Sequence, residues 1–163
     1  MFRVLWLDHS WWTVMYCSSV IFHAYPANEA KQRLLENQIQ IGQEFGKLLQ
    51  NKKTGQLIGE LLTAHIVAAD NTLQAAANKS KTLQDKIDQL FAQGDDMCSQ
   101  ISHALELNED DREHLKTEFH QHNQHVINLV TLLLGQKPLV AELNSYHLHM
   151  VHISDLLVNL AMQ

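Results

Sequence analysis

Apolar residues recur along this chain at alternating intervals of three and four positions. The pattern is clearest in two stripes near the C-terminus, one from Leu115 to Leu133 and one from Leu139 to Leu160. Such spacing places apolar side chains on one face of an α-helix. No segment shows the period-two alternation of a half-buried strand. The pattern therefore predicts an all-α protein.

Helix-breaking and capping residues divide the chain into six segments. The predicted helices are 3–24, 29–50, 55–77, 81–105, 109–134 and 138–161. Their predicted N-caps include Asn28, Thr54, Ser80 and Asn108. Short connections make sequential helices antiparallel neighbours, and a length of 163 residues suits one domain. We expect a single domain over residues 1–163, an up-and-down bundle of five or six antiparallel helices.

Small or polar residues interrupt the apolar stripes at a regular interval of about 28 positions. The six positions are His9, Gln38, His65, Gly94, His122 and His149. In a bundle of equal helices they lie at one level of the core. Burying an unpaired polar group costs about 1–3 kcal/mol, so several at one level need a compensating partner. A metal ion would provide one, because neutral imidazole is the commonest protein metal ligand.

The leading functional prediction is therefore a metal-binding bundle with a histidine-rich site at its middle. The candidate ligands are His9, His65, His122, His149, His152, Glu118 and Asp155. Nitrogen and oxygen ligands suit a divalent transition metal such as zinc, iron or nickel. An open coordination position would permit hydrolytic or oxygen chemistry, and a closed one would be structural. Enzyme activity is not predicted, since the chain has no G-x-S-x-G motif, phosphate-binding glycine loop or C-x-x-C.

Two alternatives belong to other classes of protein. In the first, a tryptophan-rich first helix docks a partner or a second copy of the chain, as in a homodimer, and the histidines are hydrogen-bonded core residues. In the second, the histidine level binds a small ligand in a pocket lined by Trp12, His65 and His122. Gln38 would support that pocket, and Gly94 would leave space in it. A ligand-sized cavity with imidazoles too far apart to share one ion would favour the second alternative.

Composition and charge narrow the choice of partner and compartment. Eighteen acidic residues against twelve basic ones give a formal charge of −6, which argues against a nucleic-acid surface. Cys17 and Cys98 do not form a disulfide framework and are expected to be buried thiols. No apolar run reaches the ~18 residues of a membrane helix. The apolar start after Arg3 is interrupted at Asp8 and His9 without a signal-peptide cleavage site, so we expect a cytoplasmic protein.

Several short motifs resemble those of a family of all-helical bacterial proteins of uncharacterised function. They are Leu5-Trp6-x-x-His9, Arg33-Leu34-Leu35-x-Asn37, Ile41-Gly42, Leu61-Leu62-x-x-His65-Ile66 and His122. The resemblance covers roughly residues 4–157 and implies a helical fold. Some members carry kinase or transferase labels, but these residues contain no nucleotide site. The chain departs from the family at 90–95, where a Trp-Tyr-x-Asn-Ala-Asp pattern is replaced by Leu-Phe-Ala-Gln-Gly-Asp.

Two metal-binding bundle families share shorter motifs with this chain. The spacing His65-x-x-x-x-Asp70 is similar to the last-helix motif of hemerythrin-like proteins, and His114-x-x-x-Glu118 fits their H-x-x-x-E motif. The segment 59–66 resembles DinB-like bundles, which hold a metal with three histidines. The H-x-x-x-H motif of the first family and the later histidine pair of the second are missing. These resemblances imply an architecture rather than an activity.

Overall fold

The computed structural model describes residues 1–24 and 26–163, and this part of the chain forms six α-helices without any strand. The helices are α1 (Phe2–Phe22), α2 (Ala27–Leu48), α3 (Lys52–Ala77), α4 (Leu83–Ala104), α5 (Glu109–Leu134) and α6 (Val140–Ala161). The predicted all-α fold is confirmed. Every helix end lies within three residues of its predicted position, because long apolar stripes define the helices better than any single capping residue does.

The capping residues were predicted less well than the helices. Asn108 caps α5, as predicted, and its side chain accepts a hydrogen bond from a first-turn backbone amide. The other three predicted caps, Asn28, Thr54 and Ser80, are wrong, because the first two lie inside helices and the third lies in the turn before α4. Asn51 caps α3 instead, since its side-chain oxygen accepts from two backbone amides of the first turn.

Each helix packs against the next one along the chain, and α6 packs against α1. This last contact closes the bundle into a ring. Helix α1 also contacts α3 and α5. Helices α1, α3 and α5 each contact four other helices, so the buried faces of these three helices meet in the middle of the bundle.

The α2–α3 pair is joined by a seam of four glycines, Gly42 and Gly46 on α2 and Gly55 and Gly59 on α3. A Cβ atom added to Gly42 would lie 2.6 Å from the carbonyl oxygen of Gly55. The two backbones are therefore in direct contact, which only glycine allows. This close approach fixes the position of α3 relative to α2.

The apolar core consists of two clusters that lie one above the other along the bundle. One cluster includes Trp6, Phe119 and Tyr146, and the other includes Tyr16 and Leu129. In α1, α2, α3 and α5 the recurring polar residue falls between members of the two clusters. A polar layer therefore divides the core, as the periodic spacing of these residues predicts.

Other expectations from the sequence concern the cysteines, the tryptophans and the membrane. Cys17 and Cys98 are buried free thiols, as predicted. Of the three tryptophans, Trp6 is buried and Trp11 is 56% exposed. Trp12 is half-buried, and the guanidinium carbon of Arg33 lies 5.9 Å from the centroid of its ring.

Among the described helices none has the length and apolar character needed to cross a membrane.

Candidate metal and ligand sites

Three imidazoles from different helices meet in the polar layer. The ring centroids of His9 and His122 are 5.5 Å apart, and those of His65 and His122 are 6.0 Å apart. The ring of His149 stacks on that of His122, with the centroids 6.3 Å apart. All four residues are buried. The rings thus converge as the sequence spacing predicts, while their role as metal ligands stays a prediction.

Two glutamines fix the hydrogen positions on two of these rings. Gln38 Nε2 lies within hydrogen-bond distance of the Leu34 carbonyl, Asn37 Oδ1 and, at 3.0 Å, His9 Nδ1. Because an amide nitrogen only donates, His9 Nδ1 accepts in this contact and the ring hydrogen is on Nε2. His65 Nδ1 donates to Gln93 Oε1 at 2.7 Å, so its hydrogen is on Nδ1. His9 therefore presents an N–H group to its surroundings at Nε2, and His65 presents a lone pair. The sequence identified Gln38 but not Gln93.

Gly94 makes room for two of the polar side chains in the layer. A Cβ atom at this position would lie 3.2 Å from Asn123 Nδ2 and 3.8 Å from His65 Cε1. Asn123 is 1% exposed and His122 is 3% exposed. Within residues 1–24 and 26–163, Asn123 Nδ2 and His122 Nδ1 have no hydrogen-bond partner. The layer therefore contains two unsatisfied polar atoms on neighbouring residues.

The imidazoles of the layer are neutral at pH 7. Burial lowers the pKa of His9 to about 3 and also lowers the pKa of His65. Burial, together with the neighbouring imidazoles, holds the pKa of His122 well below its ordinary value. A neutral ring is less costly to bury than a charged one, and it is also the form that binds metals.

Replacing His122 with leucine is expected to raise the free energy of unfolding at pH 7 by about 1–2 kcal/mol. The substitution removes a buried nitrogen that lacks a partner among the described residues, and such atoms cost about 1–3 kcal/mol. Urea denaturation followed by circular dichroism measures the change. The His65→Leu protein serves as the comparison. This substitution removes the hydrogen bond to Gln93, so the variant protein is expected to be less stable than the His122→Leu protein. A His122→Leu protein less stable than the wild type would contradict the prediction.

A second group of ligand-type side chains lies where α5 meets α6. The nitrogen His114 Nε2 is 3.6 Å from Glu118 Oε1, and His152 Nε2 is 3.4 Å from Glu118 Oε2. In the part of the chain that the structure describes, these three residues are the one group of at least three whose potential ligand atoms all lie within 4.8 Å of one another. The arrangement results from the i, i+4 spacing on α5 and from the packing of α6 against it.

His149 connects this group to the polar layer. Its Nε2 donates to the backbone carbonyl of Glu118 at 3.1 Å, so its Nδ1 carries a lone pair. That Nδ1 lies 3.6 Å from Glu118 Oε2. Burial lowers the pKa of His149, which keeps the ring neutral and the lone pair available.

The remaining predicted site residues lie apart from this group. Both carboxylate oxygens of Asp155 accept hydrogen bonds from Arg3, at 2.7 and 2.8 Å. Trp12 packs against Arg33 and does not line the cavity beside the central imidazoles in the described structure. His114 was not among the predicted ligands. It lies on an exposed helix face and does not interrupt an apolar stripe, so the spacing of apolar residues could not identify it. The signal that could have identified it was its four-residue spacing to Glu118.

A cavity of about 110 Å³ lies beside the polar layer, between α1, α3, α4 and α5. His9, His65, His122 and Asn123 line it together with many apolar side chains. Asp70 also borders it, but Tyr16 and Lys31 each donate to this carboxylate at 2.5 Å. The cavity is thus apolar in its walls and polar at the histidine layer.

Comparisons with family models, with curated proteins and with solved structures find no match to this chain. The resemblances to the bacterial helical family and to the hemerythrin-like and DinB-like bundles therefore stay predictions. What the protein binds has to be inferred from the geometry of its own side chains.

Proposed function

We propose that this protein is a metal-binding helical bundle that holds a divalent transition metal through His114, Glu118 and His152. One observation carries the proposal: the Glu118 side chain is only 11% exposed, and its ion-pair partners among the described residues are all imidazoles. A buried carboxylate requires a compensating positive charge. A divalent cation would supply that charge and would use the nearby imidazole nitrogens as ligands.

The distances in this group support a single ion. Zinc lies about 2.0–2.2 Å from nitrogen and carboxylate ligands in tetrahedral sites. Two ligand atoms of one such ion are therefore separated by roughly 3.4 Å. His114 Nε2 is 3.6 Å from Glu118 Oε1 and His152 Nε2 is 3.4 Å from Glu118 Oε2, so each imidazole is near this separation from a different oxygen of the carboxylate. One ion would therefore use both carboxylate oxygens, or the side chains would rotate to bring both imidazoles to the same oxygen.

His149 is suited to be a further ligand. Its hydrogen bond to the Glu118 carbonyl is of the kind that orients metal-bound histidines. The side chains of His114 and His152 are 48% and 54% exposed, so the ion would remain accessible to solvent. Mixed nitrogen and oxygen ligands suit zinc, iron or nickel. The proposal is one of metal binding and includes no reaction.

Calorimetric titration of chelator-treated protein with zinc chloride tests the proposal. We expect one ion per chain to bind at this group, with Glu118→Gln and His152→Ala each weakening the affinity by at least about tenfold, because each removes a direct ligand. His103→Ala is the matched control, since it removes an exposed imidazole from α4, outside the group. Absence of zinc binding, or unchanged binding by Glu118→Gln, would reject the proposal.

The same titration addresses the three central histidines. Metal binding by His9, His65 and His122 predicts a second ion per chain that is lost in His65→Ala and retained in Glu118→Gln. A single ion that is lost only in Glu118→Gln and His152→Ala assigns the metal to the α5–α6 group alone.

A further inference from the structure

The cavity beside the polar layer is separate from the proposed metal group. It lies on one side of the layer, in the core cluster that contains Tyr16 and Leu129, and buried members of this cluster such as Ile66, Leu73 and Val130 line it. None of the three proposed metal ligands, and no residue of α6, lines it in the described structure. A ligand in this cavity would therefore occupy a second site, and its binding would not depend on the ion.

The hydroxyl groups in the cavity walls donate to other atoms of the protein. Thr13 and Thr131 each donate to the backbone carbonyl four positions earlier in their helix. Thr72 Oγ1 lies within hydrogen-bond distance of two backbone carbonyls, and the Tyr16 hydroxyl donates to Asp70. These hydroxyl hydrogens are therefore not free to bind an oxygen atom of a ligand.

The charges around the cavity are already balanced. Among the lining residues of the described chain, Asp70 is the one aspartate, glutamate, lysine or arginine, and it accepts hydrogen bonds from Tyr16 and Lys31. The three imidazoles at the polar layer are neutral, because burial lowers their pKa values. A charged ligand would meet no free opposite charge in these walls and would be costly to bury. The cavity therefore favours an uncharged molecule.

The partly exposed lining residues mark the opening of the cavity between α4 and α5, and most of them are apolar. Leu83 and Ile87 on α4 and Ile127 on α5 are half-buried, and Leu134 on α5 is 41% exposed. A molecule that enters here would pass aliphatic side chains before it reaches the interior. The opening therefore favours an apolar molecule, as the walls do.

The volume of the cavity limits the size of its ligand. Cavities larger than a water molecule are few in folded proteins, because unfilled space costs stability. A cavity of about 150 Å³ holds benzene, which has six carbon atoms, so about 110 Å³ accommodates roughly four non-hydrogen atoms. We propose that this cavity binds a small, uncharged, apolar molecule of about this size, such as a dissolved gas or a short hydrocarbon.

A matched pair of probes tests the proposal. Isobutene and acetone have the same shape and nearly the same size, but only acetone carries an oxygen acceptor. In nuclear magnetic resonance titrations of the full chain with isobutene, we expect saturable shifts at the methyl groups of lining residues such as Leu73 and Val130. Isobutene is expected to bind at least about tenfold more tightly than acetone, because acetone would lose its hydration without gaining a hydrogen bond from the apolar walls.

Two outcomes with the wild-type chain would overturn the proposal. The first is the absence of saturable isobutene binding. The second is acetone binding as tight as that of isobutene, which would show that a ring N–H of the polar layer selects the ligand instead of the apolar walls.

A cavity-filling variant locates the site. Ala69 lines the cavity, so the larger side chain of Ala69→Leu is expected to weaken isobutene binding at least about tenfold. Ala64→Leu, at an exposed position of the same helix, is the control and is expected to bind as the wild type does. The amide spectrum of each variant establishes that it is folded. Unchanged isobutene binding in folded Ala69→Leu would also overturn the proposal, and the comparison of the two probes decides it even if this variant does not fold.

Discussion

Replacing Gly55 with alanine is expected to lower the free energy of unfolding by about 3 kcal/mol or more. An added Cβ atom at this position would lie 2.5 Å from the carbonyl oxygen of Gly42 and 2.5 Å from the Cα of Gly46. Both contacts are with backbone atoms, so no side-chain rotation can relieve them. Helices α2 and α3 would have to separate, and overpacking of this kind reaches or exceeds the upper end of the usual range of about 1–3 kcal/mol.

Gly46→Ala is the matched control from the same seam. Its added Cβ atom would lie 3.5 Å from the nearest atoms, which is ordinary van der Waals contact. Because alanine favours the helix over glycine by up to about 1 kcal/mol, this variant is expected to be neutral or slightly stabilising. Thermal and urea unfolding followed by circular dichroism at 222 nm measure both changes. Equal stabilities of the two variants would show that the helices do not approach each other as closely as described.

Lowering the pH from 7 to about 4.5 is expected to lower the free energy of unfolding by about 3 kcal/mol or more. Burial depresses the pKa of His9 from 6.5 to about 3, so between these values the unfolded chain binds a proton that the folded chain does not. Stability is therefore fully present above about pH 6.5 and is lost as the pH falls toward 3. Each such group contributes a slope of about 1.4 kcal/mol per pH unit.

The other two central imidazoles act in the same direction, since burial also lowers the pKa values of His65 and His122. Their contributions add to that of His9, so the total slope below about pH 6.5 is expected to exceed about 1.4 kcal/mol per pH unit. For His9 alone, the two pH units between 6.5 and 4.5 remove about 3 kcal/mol, a large part of the whole stability of a typical domain, about 5–15 kcal/mol.

Urea unfolding at a series of pH values between 5 and 7.5 measures this slope. His9→Leu is expected to reduce it by up to about 1.4 kcal/mol per pH unit. Ile66→Val, a buried substitution without a titrating group, is expected to cost about 0.5–1.5 kcal/mol equally at every pH. A wild-type stability that does not change between pH 7 and 5 would show that these rings are not buried as neutral groups.

The helices and the polar layer could be predicted because they depend on regular features of the sequence. Long apolar stripes determine where each helix begins and ends to within a turn. Nearly equal helix lengths keep residues about 28 positions apart at one level, and this brought His9, His65 and His122 together. Their burial follows from the same stripes.

The composition of the α5–α6 group was harder to predict, because it depends on contacts between residues distant in sequence. Asp155 pairs with Arg3, which is 152 positions away, and no local pattern indicates that partner. His114 lies on an exposed helix face, where histidines are common. Only the buried carboxylate of Glu118 beside it identifies it as a candidate ligand. Gln93 holds His65 through a contact that depends on how α4 packs against α3.

Crystals soaked in zinc and measured at the zinc absorption edge provide the most direct test of metal binding. We expect a strong anomalous difference peak between the Glu118 carboxylate and the Nε2 atoms of His114 and His152, about 2.0–2.2 Å from each ligand atom. The absence of a peak at this position, or a peak only among the rings of His9, His65 and His122, would contradict the assignment of the ion to the α5–α6 group.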